Sequence, residues 1–416
     1  MSASGPIGGG HDSPAITLDE ALARIRGALM PATLIERVPV RCALGRVLAE
    51  TVTADRDVPL RDNSAMDEDA LRHADALAGP LRIIGDALAG HPYGSAVGPG
   101  ECVRIMTGGV VPAGADTVVM QEHCAADGDH LRIERCPDPG ANIRRAGEDL
   151  PRGGTVLEAG RRLTAADLGV LASVGRAEAD VRYRPRVAFF STGDELRSVG
   201  QPLGEGDVYD SNRYTLHGML SRLGVEAVDL GVVRDDPEDL RRALNEAAHR
   251  ADVILTSGGV SVGSADYVTT VLSEIGEIGF WRVSVKPGRP LAFGHIGGAA
   301  FFGLPGNPVS SMVTFTQIVA PALRHLSGET PRPPLRFTAR CTAALHKKPG
   351  LLEFQRGMLG SGTDGQPEVT PFGRQGSGIL RSMSAADCFI VLPREGAEIG
   401  AGDPVTVEPF QGPLAL

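Results

Sequence analysis

Nowhere does the chain approach the roughly 18 consecutive apolar residues that a membrane span needs, and its first ten residues lack the charged-then-apolar pattern of a signal peptide. A cytoplasmic protein with no membrane partner is expected. Long basic runs are also missing, and the net charge of −10 excludes a general nucleic-acid binder, so a polyanionic ligand would need a local cationic pocket. The six cysteines contain no C-x-x-C pair in a chain too long to depend on staples, which argues for reduced thiols. No histidine pair has metal-ligand spacing, so a zinc site is not expected. Neither G-x-x-x-x-G-K-[ST] nor G-x-G-x-x-G occurs at a strand-to-helix turn, which removes support for a kinase or a dinucleotide enzyme.

What is present describes a folded protein of several domains. Of 416 residues, 42% are apolar and 22% charged, ordinary values for a globular chain, and the length allows two to four cores. Residues 1–14 read as a flexible tail. Thr17 and Glu20 have capping-box spacing ahead of Leu22, Ile25 and Leu29, so a helix starts the fold. Short apolar runs at Leu81–Ile84, Cys102–Met106, Thr117–Met120 and Leu131–Ile133 then predict a small β domain over 51–147. Helical spacing returns at Leu163–Val174 with Thr164 as cap. This second helix is expected to pack on the first, making 15–50 plus 148–182 one helical domain that carries the β domain as an insertion.

From Arg186 strands and helices alternate: Val187–Phe190, a helix near Ser211–Leu223, a strand near Ala227–Val233, a helix over Pro237–Arg250, Val253–Thr256, a helix at Tyr267–Ile275, Ala300–Phe302 and a helix at Pro308–Leu326. Such alternation predicts a doubly wound, mostly parallel α/β domain over 183–328. The proline-rich Ser327–Pro334 reads as a stiff linker, and strand-like runs at Phe337–Cys341, Phe389–Leu392 and Val405–Val407 predict a C-terminal β domain over 333–416. The expected fold class is therefore α/β multi-domain, with a helical domain, an inserted small β domain and a C-terminal β domain around the central unit.

Ligands of open parallel sheets bind beyond the carboxyl ends of the strands. Three strand-to-loop junctions there are rich in glycine and hydroxyls: Ser191-Thr192-Gly193-Asp194-Glu195, Ser257-Gly258-Gly259-Val260-Ser261 running on to Asp266, and Pro305-Gly306-Asn307-Pro308. Glycines let backbone N–H groups approach an oxyanion closely, and each loop leads into a helix N-terminus. Any one loop alone would read as a plain turn; three at one sheet end describe an anion cradle. Glu195, Asp235, Asp236 and Asp266 accompany it, as groups that could hold Mg²⁺ or activate water at a phosphoanhydride, although Asp235 and Asp236 before Pro237 suit helix capping equally well. Lys286 and Arg289, on the turn Val285-Lys286-Pro287-Gly288-Arg289-Pro290, could clamp a tetrahedral oxyanion.

These motifs resemble the molybdopterin molybdenumtransferases, the bacterial counterparts of the gephyrin E domain. The likeness runs through S-T-G-D-E-L at 191–196, T-S-G-G-V-S-V-G-x-x-D-Y at 256–267, K-P-G-R-P at 286–290 and L-P-G-N-P-V-S at 304–310. It extends to Asp62–Asp67, Arg104–Gly108, Gly114–Asp116, Ala141–Asp149, Glu353–Gly357 and Gln375–Ser377. The resemblance implies insertion of molybdate into adenylylated molybdopterin with loss of AMP, helped by Mg²⁺ at Glu195 and Asp266. It implies pterin binding by the three loops, molybdate binding by Lys286, Arg289, Arg356 and Ser377, and activity at Asp67, Thr107 and Asp149. It further implies a four-domain subunit and a homodimer whose inserted β domain covers the partner's cleft, with the adenylyltransferase of the preceding step and recipient molybdoenzymes as partners. Two departures stand out: Glu68 and Asp69 replace the family's glycine and aromatic residue, and Arg289 replaces a lysine. An adenylyltransferase acting one step earlier, or a non-catalytic pterin-binding scaffold, is the alternative.

Overall fold

A computed structural model describes residues 15–259, 267–396 and 398–410, the side chains of 267–269 and 280 excepted. The tail at 1–14 and the candidate residues Ser261 and Asp266 lie outside the described residues.

The central sheet has six strands in the order Glu226–Val233, Arg186–Thr192, Val253–Ser257, Ala299–Leu304, Pro290–Ile296 and Gly276–Arg282. The first four are parallel, and Pro290–Ile296 pairs antiparallel with both of its neighbours, Ala299–Leu304 and Gly276–Arg282. The sheet is therefore mixed, with an antiparallel edge that the alternation of apolar runs did not reveal. Glycine accounts for this: Gly294, inside Pro290–Ile296, has no room for a Cβ against the carbonyl oxygen of Glu277 on the neighbouring strand. Glycine in a strand weakens the apolar signal while allowing close backbone approach.

Alternate side chains of each central strand point to opposite faces and build two cores. Val187, Phe189, Leu255 and Phe302 pack with Leu216, Leu220, Val309 and Val313 on one face. Ala188, Phe190, Ile254 and Phe301 pack with Leu240, Leu244 and Leu272 on the other. Helix starts follow local chemistry. Asp210 accepts the Arg213 N–H to cap helix Ser211–Leu223, and Asp236 accepts from Glu238 and Asp239 ahead of Pro237 in helix Pro237–Arg250.

The predicted capping box forms at Thr17–Glu20, and Thr164, expected as a cap, proves to be half of a second box with Asp167. The two helices do not share a core, however. Leu18, Ala21 and Ile25 of helix Leu18–Ala28 are buried in the central domain's first core, beside Phe315 and Leu323. Leu171 of helix Ala165–Ser173 packs instead with Val40, Leu48 and Val181, around the strand pair Ile35–Pro39 and Glu178–Arg182. The first helix is apolar on its inner face, and the central domain offers that face the larger apolar surface.

The inserted segment forms a six-stranded sheet from Glu68–Leu71 to His130–Ile133, in which Glu68–Leu71 lies between Thr117–Met120 and Glu101–Ile105. At the C-terminal end, Leu352–Ser361, Pro367–Pro371, Phe337–Cys341, Pro404–Pro409 and Cys388–Leu392 pair in a closed ring, a small barrel without free edges. The short strand Val285–Lys286 leaves the central domain to pair in parallel with Leu352–Ser361, bringing Lys286 opposite Glu353.

Candidate functional site

The three glycine loops meet at the carboxyl end of the central sheet because their strands are neighbours in register: Ser191 lies opposite Ser257, and Ser257 opposite Leu304. Gly258, at φ +96°, donates its N–H to the Leu304 carbonyl, and a Cβ on it would stand 2.6 Å from the Thr192 carbonyl oxygen. Gly306 faces it, with its Cβ position 3.8 Å from the Gly258 Cα. Asn212 Nδ2 donates to Ser257 Oγ and to the Gly306 carbonyl oxygen, each at 2.7 Å. Ser191 Oγ donates to the buried Asp210 at 3.0 Å. Gly306 and Asn307 are exposed at the mouth, whereas Ser191, Thr192, Ser257 and Pro305 are buried beneath it.

An acidic group borders the first loop. Gly193, at φ +154°, lies against the Glu195 carboxylate, 2.7 Å from where a Cβ would stand. The Asp235 N–H donates to Asp194 Oδ1 at 3.3 Å. Burial, then the charges of Asp194 and Glu195, push the Asp235 carboxyl up. Its Oδ1 is buried with no partner among the described residues. The ambiguity between capping and chemistry therefore divides cleanly: Asp236 is the helix cap, and Asp235 faces the other acids. Clustered hard oxygens with an unpaired buried one suit a divalent cation. Among the described residues no group of three or more His, Cys, Asp or Glu is already arranged as a ligand set.

Two loops that carry or adjoin the cationic residues, from two domains, touch the helix that follows the third loop. The Lys286–Pro287 peptide is cis, and Gly288 at φ +102° packs its turn on that helix, where a Cβ would meet Thr314 Oγ1 at 2.5 Å and the Ser310 carbonyl at 3.2 Å. The Val309 N–H, in the helix's first turn, donates to the Ser377 carbonyl at 3.0 Å, tying in the C-terminal domain. Arg289 is exposed. Arg356 is only 1% exposed and donates to Ser382 Oγ at 3.0 Å and to the Gly376 carbonyl at 3.2 Å. Burial brings it down to about 10, opposed by the charge of Glu353. A guanidinium so deeply placed with neutral acceptors retains charge for an anion.

In the inserted domain, Asp67 Oδ1 accepts the Thr107 N–H at 2.7 Å, and the Thr107 backbone and hydroxyl hold its carboxyl below the usual range. Asp62 accepts from Arg145 Nη1 at 2.6 Å and from the Ala146 N–H at 2.8 Å, joining two sequence motifs 83 residues apart. Asp67, Thr107 and Asp149 are exposed, and Asp149 is fixed by its N–H to the Val58 carbonyl at 3.0 Å. Glu68 and Asp69, whose charges would oppose an anionic substrate if displayed, are each 3% exposed inside the sheet. Burial pushes the Cys102, Cys124 and Cys388 thiols up to about 12, so these three offer no nucleophile.

Three family models match in order: "MoeA N-terminal region (domain I and II)" over residues 16–175, "Probable molybdopterin binding domain" over 188–325, and "MoeA C-terminal region (domain IV)" over 338–410. A Haemophilus influenzae protein named molybdopterin molybdenumtransferase is 42% identical, across 95% of this chain and 98% of its own length. The chain belongs to the molybdopterin molybdenumtransferase family. A Nostoc relative of the same name is 35% identical over 89% of this chain and 88% of its own. The crystal structure of a Pyrococcus horikoshii molybdopterin biosynthesis MoeA protein superposes with a TM-score of 0.82 at 27% identity, covering 95% of this chain and all of that one. The chain is thus an enzyme of molybdenum cofactor biosynthesis that acts in molybdate insertion.

Sequence reasoning missed three contributors to this site. Asn212 and Asp210 sit in Asp210-Ser211-Asn212 at the start of a helix, and the cap signal at that start was available. Glu353 was passed over within its motif because its partner, Lys286, is 67 positions away and paired through a two-residue strand.

Proposed function

We propose that the glycine loops hold the pterin phosphate of adenylylated molybdopterin while Lys286, Arg289, Arg356 and Ser377 hold molybdate beside it. The two dithiolene sulfurs bond to molybdenum, their protons leaving with a molybdate oxygen as water, and water cleaves the phosphoanhydride to release AMP. The observation that carries this reading is the shared helix at Pro308–Thr314, which touches the third loop, the Lys286–Arg289 turn and the Ser377 loop. An anion cradle and an oxyanion clamp then lie within reach of one small substrate.

Glu195 and Asp235, with Asp266 from outside the described residues, would hold Mg²⁺, whose charge would neutralise the phosphoanhydride. The unpaired Asp235 Oδ1 and the mutual repulsion of these acids support that fit. Ser191 and Ser257, fixed by Asp210 and Asn212, would orient the phosphate. The exposed Asp67, Thr107 and Asp149 would serve the cleft of a second subunit in a cytoplasmic homodimer. Their exposure on the inserted domain is what supports a role toward a second subunit.

The test is AMP release by purified protein given adenylylated molybdopterin, molybdate and Mg²⁺. Release that depends on molybdate is expected. Release without molybdate would replace this reading with simple hydrolysis, and ATP consumption with molybdopterin alone would point to the adenylyltransferase.

A further inference from the structure

One buried carboxylate lies among the cations assigned to the oxyanion. Glu353 is 4% exposed, and its Oε1 stands 3.1 Å from Lys286 Nζ and accepts from Gln355 Nε2 at 3.0 Å. The pairing is built into the backbone, because Lys286 and Glu353 are register partners in parallel strands. The two ends of this ion pair differ: the Lys286 side chain is 54% exposed, whereas that of Glu353 is 5% exposed. Solvent anions can reach the ammonium but not displace the carboxylate from its seat.

Glu353 also influences the neighbouring cations. Lys347 is 8% exposed and donates to the carbonyls of Leu351, Pro393 and Arg394. Burial disfavours the charged forms of Lys347 and Arg356, and in each the chief opposing influence is Glu353. Among the described residues, it is the one carboxylate in ion-pair contact with a cation of this group. Lys347 has its carbonyls and Arg356 its neutral acceptors, so Lys286 is the cation free to change partners.

We propose that Glu353 is the counter-anion of the oxyanion site, a positioning residue that holds Lys286 before molybdate arrives and takes it back when molybdate leaves with the pterin. This rests on the assignment of Lys286 to molybdate. The physical consequence is a deliberately moderated affinity. A bound dianion feels the repulsion of Glu353 and must draw Lys286 away from it, so the site captures molybdate without retaining it. Tight ground-state binding of a group that must be handed over would raise the barrier to transfer.

The test compares full-length wild type with Glu353→Gln, which keeps the shape and a hydrogen-bond acceptor but removes the charge. Equilibrium dialysis with molybdate and with perrhenate, a tetrahedral monoanion, reads the charge directly. Molybdate should bind about tenfold more tightly to the variant, and perrhenate about threefold, because half the ligand charge meets the same change in potential. In the AMP-release assay KM for molybdate should fall and kcat should fall with it. Glu353→Asp, which retains the charge, should stay near wild type in dialysis. Unchanged or weaker molybdate binding to a Glu353→Gln protein with a wild-type melting curve would overturn the proposal. If that variant does not fold, wild-type crystals soaked in molybdate decide: Lys286 Nζ should leave Glu353 for the oxyanion, and an unbroken pair would overturn it. Lys286→Ala separates the two readings, since molybdate binding unaffected by that change removes the oxyanion assignment itself.

Discussion

Asn212 holds the carbonyl oxygen of Gly306 at 2.7 Å, and the same amide nitrogen reaches Ser257 Oγ at 2.7 Å. One side chain from the neighbouring helix thereby sets the spacing between the second and third loops. Asn212→Ala would leave both acceptors without this donor in a largely buried place, a loss of roughly 1–3 kcal/mol. The expected outcome is a higher KM for the pterin with kcat less affected, read from AMP release at saturating molybdate, together with a lower melting temperature. An unchanged KM would mean that the loops keep their spacing without the bridge.

Gly258 and Gly306 face each other, yet they should respond oppositely to a methyl group. Gly258 combines φ +96° with a carbonyl oxygen 2.6 Å from its Cβ position, so Gly258→Ala is strained in both backbone and contact, by roughly 1–3 kcal/mol. At Gly306 the nearest atom is 3.8 Å away, an ordinary contact. Gly258→Ala should abolish pterin binding, whereas Gly306→Ala should fold normally and bind with a modest loss; fluorescence titration with molybdopterin separates them.

The parts of this architecture that could be read in advance are those with local causes. Helices Ser211–Leu223 and Pro237–Arg250 begin where Asp210 and Asp236 cap them, and the glycine loops follow apolar strands. The antiparallel strands Gly276–Arg282 and Pro290–Ile296 were hidden because their glycines serve cross-strand contact rather than a turn. The home of helix Leu18–Ala28 was hidden for another reason: its apolar face fits any apolar surface, and only the assembled fold offers the central domain. The Lys286–Glu353 pair depends on a parallel strand contact between domains, which no spacing within the chain encodes.

Arg356 tests whether buried charge serves folding or binding. It is 1% exposed, brought down to about 10 by burial, and hydrogen-bonded to Ser382 and Gly376. Replacing a buried charged side chain by an apolar one of similar length is often neutral or stabilising. Arg356→Met should therefore keep the melting temperature within a few degrees while raising KM for molybdate by at least about tenfold, the effect of losing one charge-assisted contact of roughly 1.4 kcal/mol or more. A collapse in stability with molybdate affinity intact would assign Arg356 to folding alone.

Whether one site draws Asp67 and Glu195 from two subunits can be tested by mixing. Asp67→Asn and Glu195→Gln should each depress AMP release strongly with little change in stability, because both carboxylates are exposed. If the cleft of one subunit uses Asp67 of the other, mixed dimers contain one site bearing both changes and one bearing neither. Co-refolding the two inactive proteins should then restore part of the activity. No recovery in verified mixed dimers would place both residues in one subunit's site.

Glu68 and Asp69 give the inserted domain a predictable response to pH. Burial, with the charges of Glu122, Asp69 and Asp67, raises Glu68 to about 7; burial also raises Asp69 to about 6, against the attraction of Arg104. A carboxyl whose folded value exceeds its unfolded one binds more protons when folded, so stability falls as pH rises between the two values. The loss should set in near the ordinary carboxylate range of about 4 and level off above pH of about 7, reaching on the order of 3 kcal/mol for Glu68. Thermal unfolding across this window should show the fall in wild type. Glu68→Gln, which carries no charge to desolvate, should flatten the part between about 4.5 and 7 and raise the melting temperature at pH 8. A wild-type protein that instead gains stability over the same window would mean that these two carboxylates are paired on folding, contrary to Glu68 Oε2 and Asp69 Oδ1, which have no partner among the described residues.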